Sequence, residues 1–445
     1  MAGVLSEDEI RAAIAAATGA DDADAAWTHC APLCASLETD RDAAHALLHL
    51  IGKGVIDTEH AADVAQQVLD AHGADTIMLA AVGNVLAGCR DIDDLNAPAP
   101  GAPVFSNAVN ALIDATAAAR GRDDEAELLD SLAGAARLAG RRWDGTAEAA
   151  HRRLLALTPD DPFAHYNYGL FLKTRGRFAE GLEANRRALE LFSEPNDAAQ
   201  WNFGICATGA GAAEDALEMW LQIGQKIRMG RFGLPDGSYP QCKVGLVERP
   251  LARRPAEQDD PGAEEAIWVE RLSPCHGIIR SVLYQELGAD YGDVVLFDGA
   301  PITYHRYGDE QVPVFPQIAT LRRSGYRFYD FAGTQRESGR IANLSEGLEQ
   351  DAIVYSHTEN FVTLCGRCWK DPDADHQRHE KEEHRVVTGR IAAPPDYDPS
   401  KLLADLDAAA TDCRVFAPAL CAAAGDAKRA DFEQRKLDTL RAGGD

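Results

Sequence analysis

Cys365 and Cys368 stand three residues apart in "TLCGRCWKDPDADHQRHEKEEH", residues 363–384, with His376 and His379 following them. A C-x-x-C turn lets two thiolates reach one tetrahedral zinc, and two imidazoles would complete the four ligands that zinc takes. If the acidic run is helical, the three-residue step puts His376 and His379 on one face. Cys242, Cys275 or His276 are alternative donors from elsewhere in the same half of the chain. A structural zinc is the first reading here and a catalytic one the second. The competing reading is a core cysteine beside a solvated, charged helix.

Catalysis needs a different constellation. "HEKEEH", residues 379–384, departs from H-E-x-x-H because Glu383 stands where the second histidine belongs, and from H-x-x-E-H at Glu380. Cys275 with His305 or His357 would make a nucleophile and base if the fold brought them together. "GAGAAED" at 209–215 begins like a dinucleotide fingerprint, but Glu214 replaces the third glycine, so it reads as a turn between helices.

The elements that must carry these residues belong to an acidic chain. Acids outnumber bases 71 to 44, for a net charge of -27 in 445 residues. Such a balance repels polyanions, so nucleic acid is not an expected partner. Nothing approaches a membrane span, the N-terminus does not read as a signal peptide, and ten scattered cysteines do not form a secreted disulfide framework. A cytoplasmic location is expected, and the length implies more than one domain.

From residue 6 to about 225 apolar residues recur at three- and four-residue steps between Gly, Asp and Pro breaks, which predicts helical hairpins. Ser6 and Glu9 fit a capping box, and Thr58 is a candidate helix start. "AHRRLLAL" at 150–157 returns as "ANRRALEL" at 184–191, and "YNYG" at 166–169 returns as "WNFG" at 201–204. With Gly169 and Gly204 at the close-packing positions and Ala188 on the second helix, residues 131–228 resemble the tetratricopeptide repeat (TPR) family, whose period is 34 residues. One repeat spans 162–195, a second 198–228, and a degenerate one 131–158.

That resemblance implies a groove lined by the first helices that holds an extended peptide. It places Tyr166, Asn167, Lys173 and Asn202 in the groove, the asparagines gripping peptide backbone. Phe163 and Ala198 stand where lysines that grip a C-terminal carboxylate would lie, which puts capture of a free C-terminus in doubt.

After Gly230 the composition shifts to strand-like runs at 266–272, 292–299, 326–333, 351–357, 359–365 and 384–392, predicting a mixed sheet of five to seven strands. Terminal helices are expected at 398–410 and 427–443. The expected fold is therefore multidomain, an all-α TPR-like helical solenoid followed by an α+β domain with a mixed sheet. Its divisions are 1–130 divergent hairpins, 131–230 repeats, 231–265 a junction, 266–425 the α+β domain with a zinc knuckle, and 426–445 a C-terminal helix. The expected function is a protein- or peptide-binding adaptor or regulator. The alternative is a metal- or cysteine-dependent hydrolase whose solenoid recruits the substrate, so enzymatic status stays open.

Overall fold

The computed structural model describes residues 4–88, 102–255, 260–307, 310–349, 351–360 and 385–442. The chain divides into two compact units, Met1–Gly224 with Leu251–Pro261, and Gln225–Pro250 with Gly262–Asp445.

The first unit is all helix. Its elements are α1 (Glu7–Thr18), α2 (Ala23–His29), α3 (Ala31–Ser36), α4 (Arg41–Gly52), α5 (Ala61–His72), α6 (Thr76–Gly88), α7 (Pro103–Ala118), α8 (Glu125–Leu138), α9 (Asp144–Leu157), α10 (Pro162–Thr174), α11 (Phe178–Leu191), α12 (Asp197–Ala210) and α13 (Ala213–Gln222). Local chemistry sets many of the ends. Ser6 and Glu9 form the reciprocal capping box at α1. Asp161 caps α10 ahead of Pro162, which needs no N–H partner there. Gly211 ends α12 in the left-handed region at φ 74°. Thr58 opens a short 3₁₀ turn rather than the helix itself, and α5 starts at Ala61.

From α4 onward each helix packs on the next, and first helices also pack on first helices, α4 on α6, α6 on α8, α8 on α10 and α10 on α12. This is the stacking that tetratricopeptide-like hairpins require, and it extends upstream of the recognisable repeats. One continuous core runs through the unit from Ile10 to Ala184. Where helices approach most closely the sequence supplies glycine. A Cβ on Gly169 would lie 2.4 Å from Asn185 Nδ2, and one on Gly204 2.5 Å from Trp220 Cζ2.

The second unit is α+β. Its strands are β1 (Ile227–Met229), β2 (Pro235–Gly237), β3 (Cys242–Val247), β4 (Glu264–Arg271), β5 (His276–Ile279), β6 (Val294–Phe297), β7 (Thr303–Tyr307), β8 (Glu310–Arg322), β9 (Arg327–Gln335), β10 (Ile353–Ser356), β11 (Val386–Ala393) and β12 (Cys413–Phe416). Strands β3 to β8 form a six-stranded mixed sheet. Its parallel register of Lys243 on Val314, Val244 on Phe315 and Gly245 on Pro316 joins β3 back to β8, closing the ring β3–β4–β5–β6–β8 into a barrel. Cys242, Val244, Leu246, Ile267, Val269, Val295 and Phe297 fill a buried core there.

A separate four-stranded sheet, ordered β10-β11-β9-β12, carries the helices Pro399–Ala409, Pro418–Ala423 and Ala427–Arg441. Its core gathers Phe331, Ile391, Leu402 and Leu420. Where one mixed sheet is expected from sequence, the described residues form a barrel-like mixed sheet, this antiparallel one and the two-stranded β1–β2 pair. The run expected as a strand at 359–365 begins instead in a helical turn, His357–Asn360, and its remainder lies outside the described residues.

Candidate partner-binding groove

Side chains of successive first helices meet between neighbouring hairpins of the helical unit. Asn167 on α10 donates through Nδ2 to Asp130 Oδ1 on α8 at 3.1 Å. Burial raises the Asp130 carboxyl above its ordinary value, and the bond from Asn167 opposes that rise. One hairpin further on, Lys173 Nζ donates to Asn202 Oδ1 on α12 at 3.0 Å. Lys173 and Asn202 are 2% and 5% exposed, and Asn202 Nδ2 has no hydrogen-bond partner. Tyr166 is half-buried on the same helix as Asn167. The four residues expected in the groove sit on neighbouring first helices, Tyr166 and Asn167 half-buried, Lys173 and Asn202 buried and bonded to each other. Phe163 is exposed and packs edge-on against Phe192.

The hairpin ends nearby are fixed by cations. Arg175 donates to Asp144 Oδ1 through Nε at 2.9 Å and through Nη2 at 2.8 Å, and Nη2 also meets the Arg137 carbonyl at 2.8 Å. Arg141 donates to the carbonyls of Thr174 and Leu251, which ties residues 251–255 to the helical unit. His151 lies between Tyr168 and Phe171, with ring centroids 5.4 and 5.6 Å away. It is 2% exposed and neither ring nitrogen has a partner. Burial first, then the charges of Arg137 and Arg175, push it down to about 3, so its ring is neutral.

Sequence reasoning missed a cleft of about 350 Å³ lined by α4, α6 and α8. His45, His49, Lys53, Ile77, Asn84 and Glu127 are among the residues that line it. Its signal was present in "RDAAHALLHLIGK", where buried apolar positions leave His45 and His49 together on the exposed side of α4.

The metal expectation at Cys365, Cys368, His376 and His379 lies outside the described residues. Among the described residues no group of three or more His, Cys, Asp or Glu could hold a metal ion. Cys242 is buried in the barrel core, its thiol pushed up to about 11 by burial. Cys275 Sγ lies 3.7 Å from Ser273 Oγ, and that hydroxyl meets His276 Nδ1 at 2.5 Å. His357 Nε2 meets the Val282 carbonyl at 3.0 Å, while His305 sits on β7 beside Lys243. Cys275, His305 and His357 thus have different immediate neighbours.

No family model matches the chain, and no curated protein does. Among solved structures it is similar to one titled "Functional Characterization of Pseudomonas Aeruginosa pilF", at 14% identity and a TM-score of 0.32, covering 49% of this chain and 91% of that chain. At that score the stacked hairpins rest on their own packing. The fold defines a helical-hairpin protein compatible with TPR-like repeats, joined to an α+β unit. No described helix is long and apolar enough to cross a membrane.

Proposed function

We propose that the chain is a TPR-type interaction protein whose first-helix face takes an extended segment of a partner protein. The observation that carries this is the open cleft of about 350 Å³ on α4, α6 and α8, first helices whose stack continues to α10, which bears Tyr166 and Asn167. The amide of Asn167 and the ring of Tyr166 are half-buried, which leaves part of each to contact a ligand. Ile77, 51% exposed in the cleft, offers an apolar anchor point.

The test is a photo-crosslinking residue placed at Ile77 and, separately, at Tyr166. A partner crosslinked at both positions should bind the purified chain with an affinity that falls about tenfold or more on Ile77→Glu or Asn167→Ala. A partner whose affinity ignores both substitutions would show that this face is not where proteins bind.

A further inference from the structure

We propose that the outer edge of β12 takes an extended segment of a partner protein as an added strand, one in which an acidic residue stands two positions from an aromatic or aliphatic one. β12 ends the four-stranded sheet, with β9 on its inner side and no described strand on the other. Beside it lies a cleft of about 410 Å³. Cys413, Arg414, Val415 and Phe416, the whole of β12, line that cleft. Successive side chains of a strand point to opposite faces of its sheet, so a cleft that touches all of them lies against the strand's edge and not on one face. An edge strand presents backbone N–H and C=O groups along that side, and an extended chain matches their spacing.

The rest of the lining decides what the added strand carries. Leu406, Ala410 and Phe432 make it apolar in part, and Phe432 on the helix Ala427–Arg441 is 49% exposed. The two carboxylates of the cleft are already engaged. Arg429 donates to Asp407 through Nη1 at 2.5 Å and Nη2 at 2.7 Å, and to Glu433 through Nε at 2.5 Å, while Glu433 also accepts from the Ala417 N–H at 2.7 Å. Arg414 is exposed and forms no ion pair or side-chain hydrogen bond among the described residues. A cation thus faces the cleft without a carboxylate, next to apolar surface, and an acidic residue on the incoming strand supplies the missing charge. β12 itself, "CRVF", holds no acid, which argues against a second copy of this chain as the occupant.

Strand alternation fixes the spacing. Cys413 and Val415 pack with the core of the sheet, so Arg414 and Phe416 share the opposite face. Residues paired across a strand edge lie on the same face, whichever way the added chain runs. An acidic residue opposite Arg414 therefore brings the residue two positions away opposite Phe416, where an apolar side chain fits. The residue between them lies opposite Val415, on the core side, and is best apolar as well.

The experiment adds the fluorescein-labelled peptide TVFVDVFVT, which reads alike in both directions, to the full chain and follows its anisotropy. Saturable binding is expected, and it should be about tenfold weaker to Arg414→Glu, whose charge repels the peptide's aspartate. Two further peptides carry N-methyl groups, one on the aspartate and phenylalanine nitrogens, the other on the valine nitrogens. Alternate N–H groups of an added strand face the edge, so with the natural chain one of these peptides should bind about tenfold or more weakly and the other as the parent does. No saturable binding of the parent peptide, an equal response to both methylated peptides, or indifference to Arg414→Glu each overturns the proposal. Absence of peptide binding together with a dimer in sedimentation would assign the edge to a second copy, which overturns it too.

Discussion

Lys173 Nζ and Asn202 Oδ1 are 3.0 Å apart in the interior of the helical unit, joining α10 to α12 through a charged donor and a neutral acceptor. A buried ammonium that loses an acceptor bears a desolvation cost, so Asn202→Ala should lower stability by about 1–3 kcal/mol. Lys173→Met leaves the Asn202 carboxamide without its donor and should cost a similar amount. The double change Lys173→Met with Asn202→Leu should cost less than the two single changes summed. Urea denaturation of all four proteins gives the coupling energy, and a value of zero would mean the bond contributes nothing.

Close helix contact at Gly169 and Gly204 gives a second prediction. Asn185 Nδ2, which a Gly169 Cβ would strike, is itself held by the Gly181 carbonyl at 2.7 Å and cannot simply turn away. Gly169→Ala and Gly204→Ala should each destabilise by about 1–3 kcal/mol through overpacking, despite alanine's better helix propensity. Thermal melts measure this. A gain in melting temperature would mean the hairpins separate freely.

His151 makes stability depend on pH. Its folded value of about 3 lies below the ordinary 6.5, so the unfolded chain takes up a proton first as the solution is acidified. Stability is therefore fully present above about pH 6.5 and is lost as pH falls toward 3, at on the order of 1 kcal/mol per pH unit. His151→Phe, flanked by Tyr168 and Phe171, should flatten the fall in denaturation midpoint between pH 7 and pH 5. An unchanged slope would show that other groups set the acid response.

A zinc at Cys365 and Cys368 is open to direct measurement. If the expectation holds, metal analysis of the purified chain finds about one zinc per molecule, lost in the Cys365→Ser, Cys368→Ser double variant. Metal-free protein with a melting temperature indifferent to chelator would remove the expectation.

The helical half was legible in the sequence because its signals are local. The Ser6 capping box, the Asp161-Pro162 start of α10 and the 34-residue return of "AHRRLLAL" all follow from neighbouring residues, and the structure has helices there. Hairpins α4 to α7 show no period in sequence because their contacts are made by generic Ala and Leu faces. Strand β8 was passed over because Pro313 and Pro316 interrupt its alternation, and proline normally argues against a central strand. Strand β3 lies inside the 231–265 junction, a stretch whose composition reads as a domain junction with one or two short strands.

The sites divide the same way. Asn167, Lys173 and Asn202 could be named from the repeat resemblance, whereas Asp130 as the partner of Asn167 and the pairing of Lys173 with Asn202 could not be assigned from spacing alone. Lys243 gave no signal, because its burial is created by Trp268, His305 and Tyr307 on other strands. A lone lysine in a sequence reads as surface, and only the pairing of strands brings the Trp268 and Tyr307 rings against it.

Leu251–Pro261 belongs to the helical unit although it falls between β3 and β4 of the barrel. The polypeptide therefore passes from one unit to the other three times, and neither unit is a contiguous stretch of sequence. A fragment ending at Gly224 would forfeit Leu251 and its bond from Arg141, and a fragment starting at Gln225 would still carry an excursion that is foreign to it. Recombination that moved the helices onto another protein would have to bring this stitch along.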